Sequence, residues 1–545
     1  MKIKLSLLMF SVVALGSSVV AGGIGNAGDV VVQPATNETF ISCGKSIAKV
    51  VIYHLADQTD GHDELVHVDE RILGFNEIKN EVIAPVIALE DVQSREGTVC
   101  VRLAPLPHAR SNPQAVDFTY WGRRIGKIGM RGLMVHNTGY PYVTLSYAGG
   151  RDGRTKALQD YQRSVRAYVP GRDGLFLSNT WGDRNRDTRI NEKFMLGEVD
   201  AAAELGVEVV QIDDGWQSGK SANSAFAAGA GAWNGYWAAS PDFWKPDPKR
   251  FPRGLGAVTR AAAQKGVRFG LWFGPDSSND AANWERDADW LLELHRTCGV
   301  DYFKLDSMKT TGSLSLERQR KLFDKLFEKS GGKIVIDMDV TAEKRPGYFG
   351  MMKSGPLFVE NRYSDFGTYW PHLTLRALWS LSEVIDPVRL RMEVLNPLRN
   401  QEKYGENPLS PAAYPAETLF AIVMPASPLG WFEVQNLAPQ TVAAWKPLIA
   451  AWKRERDAMA ACNVLPVGSR PDGISWTGFV FVPRKGGGVG YALFYRLLAA
   501  QERFAFDFRR YFPEAKNVTI LSPRGKADFG GVEASKLDFV WVRFD

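Results

Sequence analysis

The spacing of apolar and polar positions divides the 545-residue chain into three textures. From about residue 28 to 148, short β-like runs are separated by turn-forming residues: DVVVQ, KVVIYHL, VIAPVIALEDV, TVCVRLAPL, GLMVHN and YPYVTLSYAGG. Short strands punctuated in this way predict an antiparallel β-sandwich over 22–153. A helical period then runs through RTKALQDYQRSVRAYV and predicts a connecting helix within 154–173.

From about residue 174 the rhythm changes. Apolar strands (LFLSNTWGD, VEVVQIDDGW, VRFGLWFGPD, VDYFKLDS, KIVIDMDVT, LFVENRYSDF) alternate with longer helical stretches. Such alternation implies parallel strands joined by right-handed crossovers, in a doubly wound sheet or a barrel. No GxGxxG follows the first strand, and charged or aromatic residues end nearly every strand. In a barrel that end builds the active site, so a (β/α)₈ TIM barrel over 174–457 is expected. Weaker runs at 390–395 (LRMEVL) and 429–434 (LGWFEV) would complete it. After about 458 the β texture returns in GISWTGFVFVP, GGVGYALFYRL, RFAFDF, VTILSP and LDFVWVRFD, predicting a small C-terminal antiparallel β domain over 458–545.

Bulk composition narrows the classes. The length exceeds one compact core, and 45% hydrophobic with 23% charged residues excludes a disordered chain. Sixty-six basic against 61 acidic residues leave a net charge of +5, too small to mark a nucleic-acid or membrane-surface partner. The N-terminal MKIKLSLLMFSVVALGSSVVAGG has a basic start, an apolar run and small residues, so 1–21 reads as a cleaved secretory signal and the protein as exported, periplasmic or secreted. No other apolar run approaches about 18 residues, so no membrane span is expected in the mature protein. Four scattered cysteines show no metal-ligand spacing, and neither a metal nor a cofactor is expected. Cys43 and Cys100, both in the first region, are the one pair that could form a disulfide; free buried thiols are the alternative.

The chemistry gathers at the barrel's strand ends. DYFKLDS sets Lys304 and Asp306 two residues apart, on one face of a strand. Trp181 and Asp183 end the first strand, Asp213, Asp214 and Trp216 the second, and Trp272 and Asp276 the third. Asp337 and Asp339 end the fifth, as pocket groups or strand-end caps, and Glu360, Arg362 and Asp365 the sixth. His372 is the one histidine near a strand end there, and no GxSxG elbow is present. A divalent-ion site would draw on carboxylates and water, without a lysine beside the central aspartate or indoles around it. Acids, a cation and aromatic walls suit a sugar, with two carboxyls astride the glycosidic bond.

IDDGWQSGK (212–220), WKPDPKRFPRG (244–254), RFGLWFGPD (268–276) and DYFKLDS, in this order over roughly 175–435, resemble the α-galactosidase (melibiase) clan of glycoside hydrolases. The nearest resemblance is to the family holding bacterial α-galactosidases and raffinose-synthase-like proteins. It implies a sandwich, a barrel and a C-terminal β domain, and an exo-acting retaining enzyme on oligosaccharides or polysaccharides. It further implies Asp306 as nucleophile and Asp365 as acid/base. Lys304, Asp213 and Asp214 would contact sugar hydroxyls, Trp216 and Trp181 would wall the pocket, and Arg362 and Trp272 would join the substrate-binding set. Lys304 beside Asp306 is expected to keep that carboxylate ionised. Two segments depart from the family pattern: Gly274 stands where it has an acid, and KIVIDMDVTAEKRPG replaces its cysteine- and glycine-rich fifth strand. Galactose, N-acetylgalactosamine and arabinopyranose therefore stay open as the glycone. Transglycosylation and sugar binding without turnover stay open as the activity.

Overall fold

The computed structural model describes residues 30–43, 47–57, 64–73, 79–122, 131–183, 185–227, 229, 231–341, 344–365, 367–485 and 488–545. The expected signal segment, 1–21, lies outside the described residues.

The N-terminal region packs a six-stranded antiparallel sheet on a four-stranded one. Alternate residues of Ala48–Leu55 and Val86–Asp91 (Val50, Ile52, Ile87, Leu89) meet Ile41, Phe118, Leu133 and Val135 of the second sheet in one buried cluster. Cys43 and Cys100 sit in that cluster as free buried thiols, the second of the two alternatives left open by the sequence.

The connecting helix, α1, covers Gly150–Val165, earlier than the 154–173 read from periodicity. Gly149 and Gly150, with φ of 99° and 67°, turn the chain into it. Its buried side sets the polar Arg154, Thr155, Gln159 and Gln162 beside Leu158 and Tyr161, and these four find partners as desolvation requires. Arg154 Nη1 donates to Glu90 Oε2 of the sandwich at 2.8 Å. Gln159 Nε2 donates to Ser382 O (3.1 Å) in the barrel and to Val464 O (2.7 Å) in the C-terminal domain. One helix thus ties all three regions together.

Eight parallel strands close the barrel: β1 (Leu177–Asn179), β2 (Val209–Ile212), β3 (Arg268–Phe273), β4 (Tyr302–Leu305), β5 (Val335–Asp339), β6 (Leu357–Phe358), β7 (Leu390–Leu395) and β8 (Ser427–Trp431). The β1–β8 pairing, Leu177 opposite Leu429, seals the ring. β8 begins two residues before the expected run, which ends in a 3₁₀ turn at Val434–Asn436. Inside, Leu177, Val209, Tyr302, Val335, Phe358 and Leu429 form a packed plug. Asp337 belongs to this interior, where Arg391 Nη2 binds its Oδ1 at 2.8 Å. Two residues on, at the same pleat parity, Asp339 reaches the open end. The C-terminal domain has a five-stranded and a three-stranded antiparallel sheet. Among the described residues no helix is long and apolar enough to cross a membrane.

Candidate active site

A cavity of about 180 Å³ lies where the strands end. Its lining includes six of the nine residues singled out from sequence: Trp181, Asp213, Asp214, Trp272, Lys304 and Asp306. Asn223, Trp233, Asp339, Thr341, Arg345, Asn361 and Tyr363 complete it.

Asp306 follows the last residue of β4. Its Oδ1 accepts hydrogen bonds from the Ser307 backbone N–H and from Arg345 Nη2, the latter at 2.8 Å. Its Oδ2 accepts one, from the Trp272 indole at 3.0 Å. Burial opposes ionisation, but the Arg345 and Lys304 charges and the Trp272 and Ser307 hydrogen bonds outweigh it. The carboxyl is held below its ordinary pKa. Lys304 does help to keep Asp306 ionised, as expected, but second to Arg345, which is the ion-pair partner of that carboxylate.

Lys304 points to the same cavity but bonds elsewhere. Its Nζ lies 3.0 Å from Asp213 Oδ2 and 3.7 Å from Asp339 Oδ2. It also sits 4.6 Å from the centroid of the Phe358 ring. Burial disfavours its charge, yet Asp213, Asp306 and Asp339 together hold its pKa above the ordinary value. Asn179 Nδ2 adds a bond to Asp213 Oδ2 at 2.8 Å.

Two neighbouring acids bind protons more tightly than usual. Burial, with Asp213 and Asp187 adding to it, pushes Asp214 up to about 7, against hydrogen bonds from Ser221 and Gln217. Burial and the Asp306 charge push Asp339 up to about 6, against Lys304 and Arg345. Thr341 donates to Asp339 Oδ1 through its backbone N–H (2.9 Å) and its hydroxyl (2.7 Å).

Gly274, one of the two departures from the family pattern, has a physical account. A Cβ there would stand 2.6 Å from the Tyr236 hydroxyl and 2.7 Å from Ser307 Oγ. Those two oxygens are hydrogen-bonded to each other at 2.7 Å. Ser307 has φ 52°, in the left-handed region, and this turn aims its N–H at Asp306. Tyr236 thus occupies the space above residue 274 and braces the turn that carries the carboxylate.

Three sequence-predicted residues are not in the cavity lining. Trp216 is fully buried against Trp244, and its indole N–H donates to the Trp272 carbonyl at 2.8 Å. It backs a pocket residue and does not wall the pocket. Arg362 turns away from the cavity but stays buried, with Nη1 2.8 Å from Thr374 Oγ1 and 2.9 Å from Glu360 Oε1. The reason is alternation along the loop after β6: Asn361 and Tyr363 face the cavity, whereas Glu360 and Arg362 do not. Asp365 lies in the turn that follows, and its Oδ1 is bound by Arg399 Nη2 at 2.8 Å. Its buried Oδ2 receives no hydrogen bond from the described residues.

The other strand-end acids are structural. Asp276 accepts from the backbone N–H groups of Gly235 and Ser278, and Asp183 from Asn436 Nδ2 at 2.6 Å. Arg345, Thr341, Asn361, Tyr363 and Asn223 escaped the sequence reading. For Asn361 and Tyr363, alternation along the segment after β6 was a usable signal. Arg345, in the loop KRPG after β5, carries no periodic signal at all.

The melibiase family model matches residues 139–300, a span that holds β1 to β3 and ends just before Lys304 and Asp306. The chain is 30% identical to probable alpha-galactosidase C of Aspergillus terreus, across 161 residues that are 28% of this chain and 20% of that protein. It is 26% identical to alpha-galactosidase AgaA of Geobacillus stearothermophilus, across 158 residues that are 28% of this chain and 20% of the relative. The matched stretch therefore spans about a fifth of these relatives' length. The fold likeness extends much further. The alpha-galactosidase of Lactobacillus brevis superposes with a TM-score of 0.66 at 14% identity, covering 95% of this chain and 78% of that one. AgaA in complex with raffinose superposes with a TM-score of 0.61 at 13% identity, covering 93% and 77%. The sandwich, barrel and C-terminal β domain are thus the fold of the family 36 α-galactosidases.

Proposed function

We propose that this chain, an α-galactosidase-family member whose melibiase segment supplies the first three barrel strands, removes terminal α-linked galactose by double displacement through Asp306. The observation that carries the reading is the setting of that carboxylate. Arg345, the Trp272 indole and the Ser307 N–H hold it ionised in a cavity shared with Lys304, Asp213 and Asp214. The relatives named above are α-galactosidases, and the AgaA structures hold raffinose and stachyose.

In the first step an Asp306 oxygen bonds to the anomeric carbon as the glycosidic C–O bond breaks. Oδ2, with one hydrogen bond against two on Oδ1, is the freer oxygen. Asp365, the acid that the family resemblance implies, gives its proton to the departing oxygen. In the second step Asp365 takes a proton from water, the resulting hydroxide bonds to the anomeric carbon, and Asp306 leaves as a carboxylate. Two inversions give net retention. Lys304 and Asp213 offer a donor and acceptors to ring hydroxyls. Asp214 and Asp339, whose proton affinities are raised, can donate as neutral acids near their pKa. The basic, apolar and small-residue pattern of 1–21 supports export of the mature enzyme.

The test is a set of p-nitrophenyl glycosides: α-galactoside, α-N-acetylgalactosaminide and β-L-arabinopyranoside. Turnover of the first, with α-galactose as the initial product by NMR, is expected. A fluorosugar that traps the intermediate should label the peptide holding Asp306, and Asp306→Asn should lower kcat at least about 10³-fold with the fold retained. A label on another residue, or β-galactose as first product, overturns the proposal.

A further inference from the structure

β6 is only two residues long, Leu357–Phe358, so ladder pairing stops well short of Asp365. The turn that carries Asp365 is held instead by the loop that follows β7. That loop is itself anchored. Asn396, directly after β7, accepts from the Leu398 N–H through Oδ1 at 3.2 Å. Its Nδ2 donates to the Asn436 carbonyl at 3.1 Å, which ties the loop to the turn after β8. Asn400 takes a left-handed φ of 54°, a conformation that asparagine tolerates better than most residues.

Three side chains of this loop meet the Asp365 turn. Arg399 Nη2 donates to Asp365 Oδ1 at 2.8 Å, and Asn400 Nδ2 lies 3.4 Å from the same oxygen. Lys403 Nζ donates to the backbone carbonyls of Ser364 and Asp365. Lysine thus fixes the backbone and arginine the carboxyl.

Arg399 is held from its other side by Asp183, beyond the end of β1. Its Nη2 also donates to the Asp183 carbonyl at 2.6 Å, and its Nε lies 3.9 Å from Asp183 Oδ1. Asp183 is buried, and its Oδ2 accepts from Asn436 Nδ2 (2.6 Å) and the Glu433 N–H (3.2 Å). Burial disfavours the Arg399 charge, yet its bond to Asp365 and the Asp183 charge hold its pKa above the ordinary value. The guanidinium is therefore a fixed cation between two carboxyls.

Such a contact serves a carboxyl that gives up and takes back a proton. It fixes the direction of the group. As the Asp365 O–H bond breaks, the proton goes to the glycosidic oxygen and the electron pair stays on the carboxylate, where a cation at 2.8 Å stabilises it.

We propose that Arg399 is the positioning residue of the acid/base. It orients Asp365 and stabilises the carboxylate formed as the proton departs, and Asp183 keeps the guanidinium in place. The inference rests on the reading of Asp365 as acid/base. It confines the effect of Arg399 to galactosides whose leaving oxygen needs a proton.

The test compares two substrates of the full-length enzyme by kcat/KM. The leaving alcohol of raffinose needs the proton, whereas the phenolate of 2,4-dinitrophenyl α-galactoside departs without it. Arg399→Met should lower kcat/KM on raffinose about 10- to 100-fold and on the dinitrophenyl galactoside less than about threefold. Arg399→Lys should recover part of the raffinose loss. Asp365→Ala should lose more on raffinose, and adding Arg399→Met to it should change neither rate further, because the arginine acts through Asp365. Should Arg399→Met not fold, the same ratio is read in Arg399→Gln. Equal losses on the two substrates, or a further loss in the double variant, overturn the role of Arg399 and leave Asp365 as acid/base. Equal losses on the two substrates in Asp365→Ala, or a wild-type enzyme that turns over neither, overturn both.

Discussion

Arg345 Nη2 donates to Asp306 Oδ1 at 2.8 Å, joining a loop after β5 to the end of β4. The pair is nearly out of water, with side-chain exposures of 2% and 13%. At such burial a charge without its partner is costly, so the carboxylate and the guanidinium depend on each other.

Arg345→Met is therefore expected to lower kcat/KM by about 10²-fold or more, through loss of an ionised, oriented nucleophile. Asp306 is held below the ordinary carboxylate pKa, so activity is present above that pKa and is lost as pH falls through it. Removing the largest favourable charge raises the pKa. The acid limb of the pH–kcat/KM profile should then move to higher pH by about one unit. An unmoved limb would show that Lys304 alone suffices.

Gly274→Ala should damage the site without touching substrate. The new Cβ collides with both oxygens of the Tyr236–Ser307 hydrogen bond, and overpacking of this kind costs about 1–3 kcal/mol. A lower Tm and a kcat loss larger than any rise in KM are expected. Tyr236→Phe, which removes the hydroxyl and adds no bulk, should reproduce part of the kcat loss. Wild-type kinetics in both variants would rule out the brace.

Trp216 distinguishes support from recognition. It is fully buried and donates to the Trp272 carbonyl, so Trp216→Ala should cost about 3–5 kcal/mol of stability. Trp216→Phe loses mainly the N–H and leaves a buried carbonyl unpaired, about 1–3 kcal/mol. Thermal melts read both. A rise in KM at unchanged Tm would return Trp216 to the pocket wall.

Asp214 gives a pH signature of stability. Its pKa is pushed from 3.8 to about 7 by burial, with Asp213 and Asp187 adding. Between these values the native protein holds a proton that the unfolded chain has released. Stability contributed by this group is present at low pH and lost as pH rises through about 4 to 7. Asp214→Asn cannot ionise, so its Tm should fall less than wild type's between about pH 5 and 8. Parallel Tm curves would mean that Asp214 is ionised throughout.

What the chain alone determined was whatever follows from a repeating period. Strand–helix alternation called for parallel strands with right-handed crossovers, and the missing GxGxxG with charged or aromatic strand ends chose the barrel over a doubly wound sheet. The two-residue pleat is enough to send Lys304 and Asp306 to one side, and the ends of β1 to β4 are enough to bring Trp181, Asp213, Asp214 and Trp272 to the same mouth. Tertiary structure decided the pairings. Lys304 chose Asp213 as its closest acid, and Asp306 received Arg345 from a loop whose course no periodicity records. Trp216 and Arg362, chosen by motif, turned into packing and a buried ion pair away from the cavity. The start of α1 and the brace above Gly274 were likewise set by left-handed turns and close approach. Period fixes the face on which a side chain leaves its element; burial, charge and the space left by distant neighbours fix what it meets there.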